Sequence, residues 1–134
     1  EDQGDLDGWP WSVGARHMAA NLQQRPEYVV IVDMIGDADQ QIFWEWSSTR
    51  QLSERIWSVA ARLGYNRHFI PSYKHSVMDD HTPFLERAIP AVDIIDFDYP
   101  PWHTTADTTD KVSAASLERV GRVIQCLLEG CAQP

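Results

Sequence analysis

The sequence predicts an α/β fold, with a mainly parallel sheet between layers of helix, because strand-like and helix-like segments alternate along it. Two continuous apolar runs, YVVIVDMIG (28–36) and AVDIIDF (91–97), are typical of strands covered on both faces. Helical periodicity follows each run, most clearly in residues 47–64 and 113–130. Ligand sites in such folds form at the carboxyl ends of the strands. Asp33 ends the first run and residues 98–112 follow the second, so both are candidates for the site.

The helices are predicted from their apolar stripes and from their ends. Residues 47–64 form a helix that begins at a capping box of Ser48 and Gln51 and stops at Gly64. Residues 113–130 form a closing helix, whose predicted inward-facing residues are Leu117, Val120, Ile124 and Leu127. Two shorter helices are predicted at residues 12–22 and 82–88.

Length, charge and cysteine content limit the class of protein. A chain of 134 residues predicts one domain, 1–134. The formal charge of −9 argues against nucleic acid and against a membrane surface as partners, and no apolar stretch has the length of a membrane span. Cys126 and Cys131 lie five residues apart on a predicted helix, so we expect free thiols.

Six tryptophans are an unusual number for this length. Four of them stand in the pairs WPW and WEW, whose neighbouring indoles are hard to bury together: Trp9, Trp11, Trp44 and Trp46. We interpret these pairs as contributors to a partner interface or a self-interface.

Acidic and histidine residues cluster just outside the predicted elements, at Glu1–Asp2, Asp33, residues 79–81 (DDH) and His103. Carboxylates and an imidazole that converge from separate loops are the ligands that zinc takes. Two of these clusters also have a structural alternative. An aspartate at a strand end can serve a turn, and DDH before a predicted helix can be its N-cap.

The motifs taken together carry a specific resemblance. EDQGDLDGWPWSVGARH, VVIVDMIGDAD, DDHTPFLERAIPAVDIIDF and YPPWHTTADTTDKVS occur in order over nearly the whole chain. They resemble the C-terminal half of the zinc-dependent aminopeptidase family of bacterial leucyl aminopeptidases, whose fold animal-type glutaminyl cyclases share. The resemblance implies a partial three-layer α/β/α sandwich that lacks the family's N-terminal half.

The resemblance also implies roles for individual residues. Glu1 corresponds to the family's catalytic general acid/base, and Asp79 to an acid that joins a hydrogen-bond chain in the cyclases. The implied zinc ligands are Asp2, Asp33 and His103. The strand-end acid, here Asp33, binds a second zinc in the two-metal aminopeptidases and forms hydrogen bonds in the one-metal cyclases. The implied aromatic wall of the substrate pocket is formed by Trp102 and Tyr99.

The implied function is that of a zinc-dependent exopeptidase-like domain which acts on peptide N-termini. A glutaminyl-peptide cyclase, towards which the DDH and WH motifs lean, is the first alternative. The second is a catalytically inactive, truncated domain that only self-associates. Since the family's other half carries further ligands, we expect weak zinc binding and slow turnover from this chain alone. We also expect a homo-oligomer, or a partner half, to cover the open sheet edge.

Overall fold

The computed structural model describes residues 8–131 of the chain. Four helices and four strands alternate along it, with a short 3₁₀ turn before the last helix. In chain order they are α1 (Val13–Ala20), β1 (Val29–Asp33), β2 (Ile42–Glu45), α2 (Arg50–Arg62), β3 (Phe69–His75), α3 (Thr82–Leu85), β4 (Ala91–Ile95), the 3₁₀ turn (Thr109–Lys111) and α4 (Ala114–Glu129).

The sheet consists of two parallel ladders. β1 pairs with β4 over their full length, from Val29 opposite Ala91 to Asp33 opposite Ile95. β2 pairs with β3, with two register shifts. Side chains join the two ladders, because the Gln41 amide donates to Asp96 at one end of β4 and the Asp93 amide donates to Ser48 Oγ further back. β2 therefore runs antiparallel to β4, and the strand order is β3–β2–β4–β1.

Helices cover both faces of this sheet. On one face, α2 and α4 pack over the larger core, whose fully buried members are Ile42, Ile56, Ala60, Val92, Ile94 and Val123. On the other face, α1 and α3 cover a smaller cluster of Ala19, Phe84, Ile89 and Ala91. The predicted three-layer α/β/α sandwich with mainly parallel pairing is confirmed, and no helix within residues 8–131 is long and apolar enough to cross a membrane.

The sequence pattern did not predict β2 and β3. β2 has only four residues and follows a polar segment, and β3 carries Pro71 and accommodates the register shifts. Short, bulged strands give a weak alternation of apolar and polar residues. Pro71 and the bulges also suit β3 to its position at the edge of the described sheet, where they discourage pairing with another chain.

Three local predictions are wrong. The Ser48–Gln51 capping box does not form, because α2 begins after Thr49 and Ser48 Oγ donates instead to Glu45. Leu117 lies on the exposed side of α4. Cys126 and Cys131 form a disulfide, because Gly130 (φ 79°) turns the chain after α4 and brings their Cα atoms to 4.6 Å.

The two predicted core strands differ in burial. All five residues of β4 are buried, as expected. β1 is only half-buried, and Val32 and Asp33 are exposed. Within the described residues β1 is paired on one side only, so its last two residues face open space next to the end of β4.

Candidate active site

A cavity of about 240 Å³ opens where β1 and β4 end. Four segments line it: the end of β1 with Met34, the end of β4 with Phe97, the loop before α3, and the loop after β4. Trp11 and Ser12 close it from the side of α1. Its polar and aromatic lining residues are Trp11, Ser12, Asp33, Asp79, Asp80, Phe97, Trp102 and His103.

The loop of residues 98–112 reaches this cavity because it is anchored at both ends. At its start, Asp98 forms an ion pair with Lys74 (2.5 Å) and contacts His75 Nε2 (3.2 Å) at the end of β3. At its end, the Ser113 amide donates to the Gly36 carbonyl, in the turn that follows β1. A Cβ at Gly36 would lie 3.2 Å from Val112 Cγ1, so a larger residue there would have to displace the Val112 side chain by a few tenths of an ångström. The loop is thus tied to the same turn that follows Asp33.

Aromatic stacking organises the middle of the loop. The rings of Trp102 and His103 stack at 4.2 Å, and Trp102 also contacts Phe97 at 5.3 Å. Phe97 in turn meets His75 at 5.4 Å. Phe97, Trp102 and His103 of this row line one side of the cavity.

Backbone strain is concentrated at this cavity. Within residues 8–131, four residues other than glycine have a positive φ, and Ser12, Met34 and His103 are three of them (φ 57°, 48° and 56°). All three line the cavity. Side chains rarely adopt this conformation, and it is found preferentially at functional sites.

The structure brings together four of the seven predicted site residues. Asp33, Asp79, Trp102 and His103 line the same cavity. Tyr99 does not reach it. It lines an adjoining cavity of about 170 Å³, with Trp102 between the two, and its hydroxyl donates to Asp107 at 2.6 Å. Glu1 and Asp2 lie outside the described residues.

The cavity combines negative charge with apolar walls. Asp33, Asp79 and Asp80 line it together with several exposed apolar side chains. Two of these are Met78, which the sequence did not indicate, and Trp11, which the sequence analysis assigned to an interface. Acidic groups in a recess with apolar walls attract cations and amines. The arrangement therefore suits a ligand with a positive charge next to an apolar or amide-bearing group.

Directly beneath the cavity lies a polar cluster that the sequence did not predict. Glu45, His81 and Asp93 are at most 1% exposed, although they come from β2, the start of α3 and the middle of β4. Charged side chains are almost never buried so fully unless they are paired. The sequence offered two signals for it, the acid inside the apolar run 91–97 and the histidine of the DDH motif, but nothing that joined them to Glu45.

Two of the three predicted zinc ligands lie within the described residues. Asp33 and His103 offer the carboxylate and imidazole donors that zinc takes, and they line the same cavity. Among residues 8–131, however, no three His, Cys, Asp or Glu side chains are arranged to hold a metal ion. The third predicted ligand, Asp2, is outside this range, so the described part alone does not complete the site.

Comparisons with known proteins agree with this geometry. The profile of Peptidase family M28 matches residues 1–128. The glutaminyl-peptide cyclotransferase-like protein of Mus musculus is 26% identical over 86% of this chain and 36% of its own length.

Two solved structures superpose well. The glutaminyl cyclase of an Acidobacteriales bacterium has a TM-score of 0.82 and 33% identity, over 87% of this chain and 44% of that one. A Zn-dependent exopeptidase from Parabacteroides distasonis has a TM-score of 0.80 and 28% identity, over 90% and 46%. The chain thus spans about a third of the mouse protein and less than half of each solved chain.

Proposed function

Because this chain belongs to peptidase family M28, we propose that it forms part of a zinc-dependent active site for peptide N-termini, and that its reaction is the cyclisation of N-terminal glutamine. The observation that carries the proposal is the single cavity lined by Asp33, Asp79, Trp102 and His103. Its carboxylates suit the α-amino group of a peptide, and its indole suits the side-chain amide beside it.

The reaction needs a bond to form between the α-amino nitrogen and the side-chain amide carbon, while ammonia leaves. One proton must pass from the attacking amine to the departing nitrogen, and Glu1 is the residue that the resemblance assigns to this transfer. A bound zinc ion would supply polarisation of the amide carbonyl. Trp102 would hold the glutamine side chain against the cavity wall and exclude water, which would otherwise compete with the amine.

Two observations favour cyclisation over hydrolysis. The mouse relative and the Acidobacteriales structure carry glutaminyl cyclase names. In addition, Asp79 interacts by hydrogen bonding and by charge with a buried acid, Asp93, that also feels the charge of Asp33. This agrees with an acid network of the kind that the resemblance implies for cyclases.

Hydrolysis at the N-terminus is the second candidate. It is supported by the likeness to the Parabacteroides exopeptidase, whose TM-score is close to those of the cyclases. An exopeptidase would use the same cavity to bind the amine, but water rather than the amine would attack, and the carbonyl attacked would be that of the peptide bond.

One peptide distinguishes the two reactions. We would incubate the chain, with and without added zinc, with a short peptide that begins with glutamine, and follow it by mass spectrometry. Cyclisation removes the mass of ammonia, whereas exopeptidase action removes a whole residue. We expect the first product, zinc-dependent, and lost in His103→Ala but kept in His17→Ala, which alters an exposed histidine on α1. Loss of a whole residue would establish the exopeptidase instead. If neither product forms at any zinc concentration, the chain is catalytically inactive by itself and the proposal is wrong for it.

A further inference from the structure

A separate cavity of about 340 Å³ lies between α2 and the end of α4. Its lining residues are Arg55, Ser58, Val59 and Arg62 from α2, and Cys126, Leu127, Gly130 and Cys131 from α4 and the turn after it. These residues differ from those that line the candidate active site. The ligand of this second cavity is therefore a question apart from the proposed function.

The disulfide between Cys126 and Cys131 lines this cavity and is open to small molecules. Cys126 belongs to the last turns of α4, and Gly130 turns the chain so that Cys131 returns towards it. Both cysteines are only partly buried. The bond closes a loop of a few residues, so it removes less chain entropy from the unfolded state than a bond across a long loop would. Access of this kind is a condition for thiol–disulfide exchange.

Two arginines stand beside the disulfide with their charges uncompensated. Arg55 and Arg62 are exposed on α2. The Arg55 guanidinium lies 5.4 Å from the centre of the Tyr28 ring, and Arg62 donates to Ser58 Oγ at 3.2 Å. Within residues 8–131 these two arginines form no ion pair, whereas five other basic side chains do: Arg16, Arg50, Lys74, Lys111 and Arg122. Uncharged groups thus orient both guanidinium groups without neutralising them.

The cavity is positively charged although the protein as a whole is acidic. The chain has a formal charge of −9, but none of the residues that line this cavity is an acid. Glu129, in the last turn of α4, is not among them and accepts a hydrogen bond from Gln125 at 3.1 Å. Because salt screens charges beyond about 10 Å, the two arginines determine the attraction at short range. The cavity therefore favours anions.

A disulfide beside two arginines suits one class of ligand, a small thiol that carries carboxylate groups. Guanidinium groups bind carboxylates through charge and through paired hydrogen bonds. The thiolate is the form of a thiol that attacks a disulfide, and a positive environment stabilises both the attacking thiolate and the cysteine thiolate that leaves. Recognition and exchange can thus take place in the same cavity.

We propose that the Cys126–Cys131 disulfide is an exchange site for small anionic thiols, whose carboxylates Arg55 and Arg62 bind. In the first step the ligand thiolate bonds to one cysteine sulfur, the bond between the two cysteines breaks, and the other cysteine leaves as a thiolate. A second ligand thiolate then attacks the ligand sulfur of this mixed disulfide and releases the second cysteine. Two electrons pass to the protein, the two ligand molecules leave joined by a disulfide, and each cysteine takes up a proton. Exchange releases the chain after Gly130 from α4.

The first test establishes the bond and its reduction in the 134-residue chain, with glutathione as the probe. The chain contains two cysteines. We would prepare it without reductant, unfold it and titrate its thiols, before and after exposure to excess glutathione. We expect no free thiol before exposure and two after it. Free thiols before exposure, or a disulfide that resists glutathione, would overturn the proposal.

The second test compares thiols of different charge. Reduction rates would be measured with glutathione, which is anionic, with neutral 2-mercaptoethanol and with cationic cysteamine. Each rate is divided by that of the same thiol with a small uncharged disulfide, which removes differences in intrinsic reactivity. We expect the order glutathione, 2-mercaptoethanol, cysteamine, with at least about threefold between the first and the last, and convergence in high salt. An acidic protein without local recognition gives the reverse order, and that order, or equal rates, would contradict the proposal.

The third test removes the two arginines. In the double variant Arg55→Gln/Arg62→Gln, the normalised rate with glutathione should fall at least about threefold, while the rate with 2-mercaptoethanol stays within about twofold. The matched control, Arg50→Gln/Arg122→Gln, removes the same charge from exposed ion pairs on α2 and α4 and should keep the wild-type order. Equal changes in the two double variants would show that net charge decides, and would exclude the site. Should the first variant not fold in a urea titration, the order of the three thiols and its salt dependence in the wild type still decide.

Discussion

Two regions meet at this cavity, and they are built in opposite ways. The floor, formed by Glu45, His81 and Asp93, is buried, and its Glu45 accepts hydrogen bonds from Ser47, Ser48 and Val77. The rim, residues 98–112, is largely exposed and is held at its ends by an ion pair and a backbone contact. Burial makes each polar contact of the floor costly to break, whereas water replaces most contacts of the rim. We therefore expect substitutions in the floor to lower stability more than substitutions in the rim.

The largest loss of stability is expected when the buried negative charge of Glu45 is removed. Glu45→Gln replaces an oxygen acceptor by an amide donor that faces the amides of Ser47 and Ser48. Because these donors are buried, the free energy of unfolding should fall by about 3–5 kcal/mol, measured by urea denaturation. Glu54→Gln, in an exposed pair with Arg50 on α2, is the control and should cost less than about 0.5 kcal/mol. Similar losses in the two variants would show that Glu45 in the buried floor contributes no more to stability than an exposed ion pair does.

A pair of histidine substitutions compares the two regions with the same chemical change. His81→Ala removes a fully buried ring that contacts Ser47 and Glu45, and we expect a loss of about 3 kcal/mol. His103→Ala removes an exposed ring that stacks on Trp102, and the loss should stay below about 1 kcal/mol. Zinc binding should show the reverse order, with His103→Ala the more damaging. Equal effects on unfolding would remove the distinction between floor and rim.

Acid should weaken the floor in a defined range. The folded pKa of Glu45 is lowered from 4.5 to about 2 by hydrogen bonds that outweigh the opposing effect of burial. Its contribution to stability is therefore present above pH 4.5 and is lost as the pH falls towards 2. Between neutral pH and about pH 3 the wild type should lose about 2 kcal/mol more than Glu45→Gln. An identical pH dependence of unfolding in the two proteins would mean that Glu45 does not carry this stability.

The sequence predicted the fold and the rim better than the floor, because the fold and the rim depend on patterns between residues that are close together in the chain. The runs 28–36 and 91–97 are local patterns, and a single rule about strand ends then places Asp33 and His103 together. The floor depends on side chains that are far apart in the chain, at positions 45, 81 and 93. Its acid, Asp93, was visible within an apolar run, but its neighbours follow only from β2, which is too short and irregular to predict.

The smallest expected effect concerns Tyr99, at the outer part of the rim. The hydrogen bond that its hydroxyl donates to Asp107, together with the nearby negative charges, raises the pKa of Tyr99 to about 12. The difference between the ultraviolet titrations of the wild type and Tyr99→Phe isolates this tyrosine from the three others. We expect a midpoint near 12 that moves down towards the ordinary value of 10 in Asp107→Asn, with no measurable change in the urea midpoint. Because the hydrogen bond between Tyr99 and Asp107 is exposed to solvent, we expect it to orient the Tyr99 ring without contributing measurably to stability. A titration midpoint of 10 in the wild type would show that the hydrogen bond between Tyr99 and Asp107 does not form. A lower urea midpoint in Asp107→Asn would show that this part of the rim does contribute to stability.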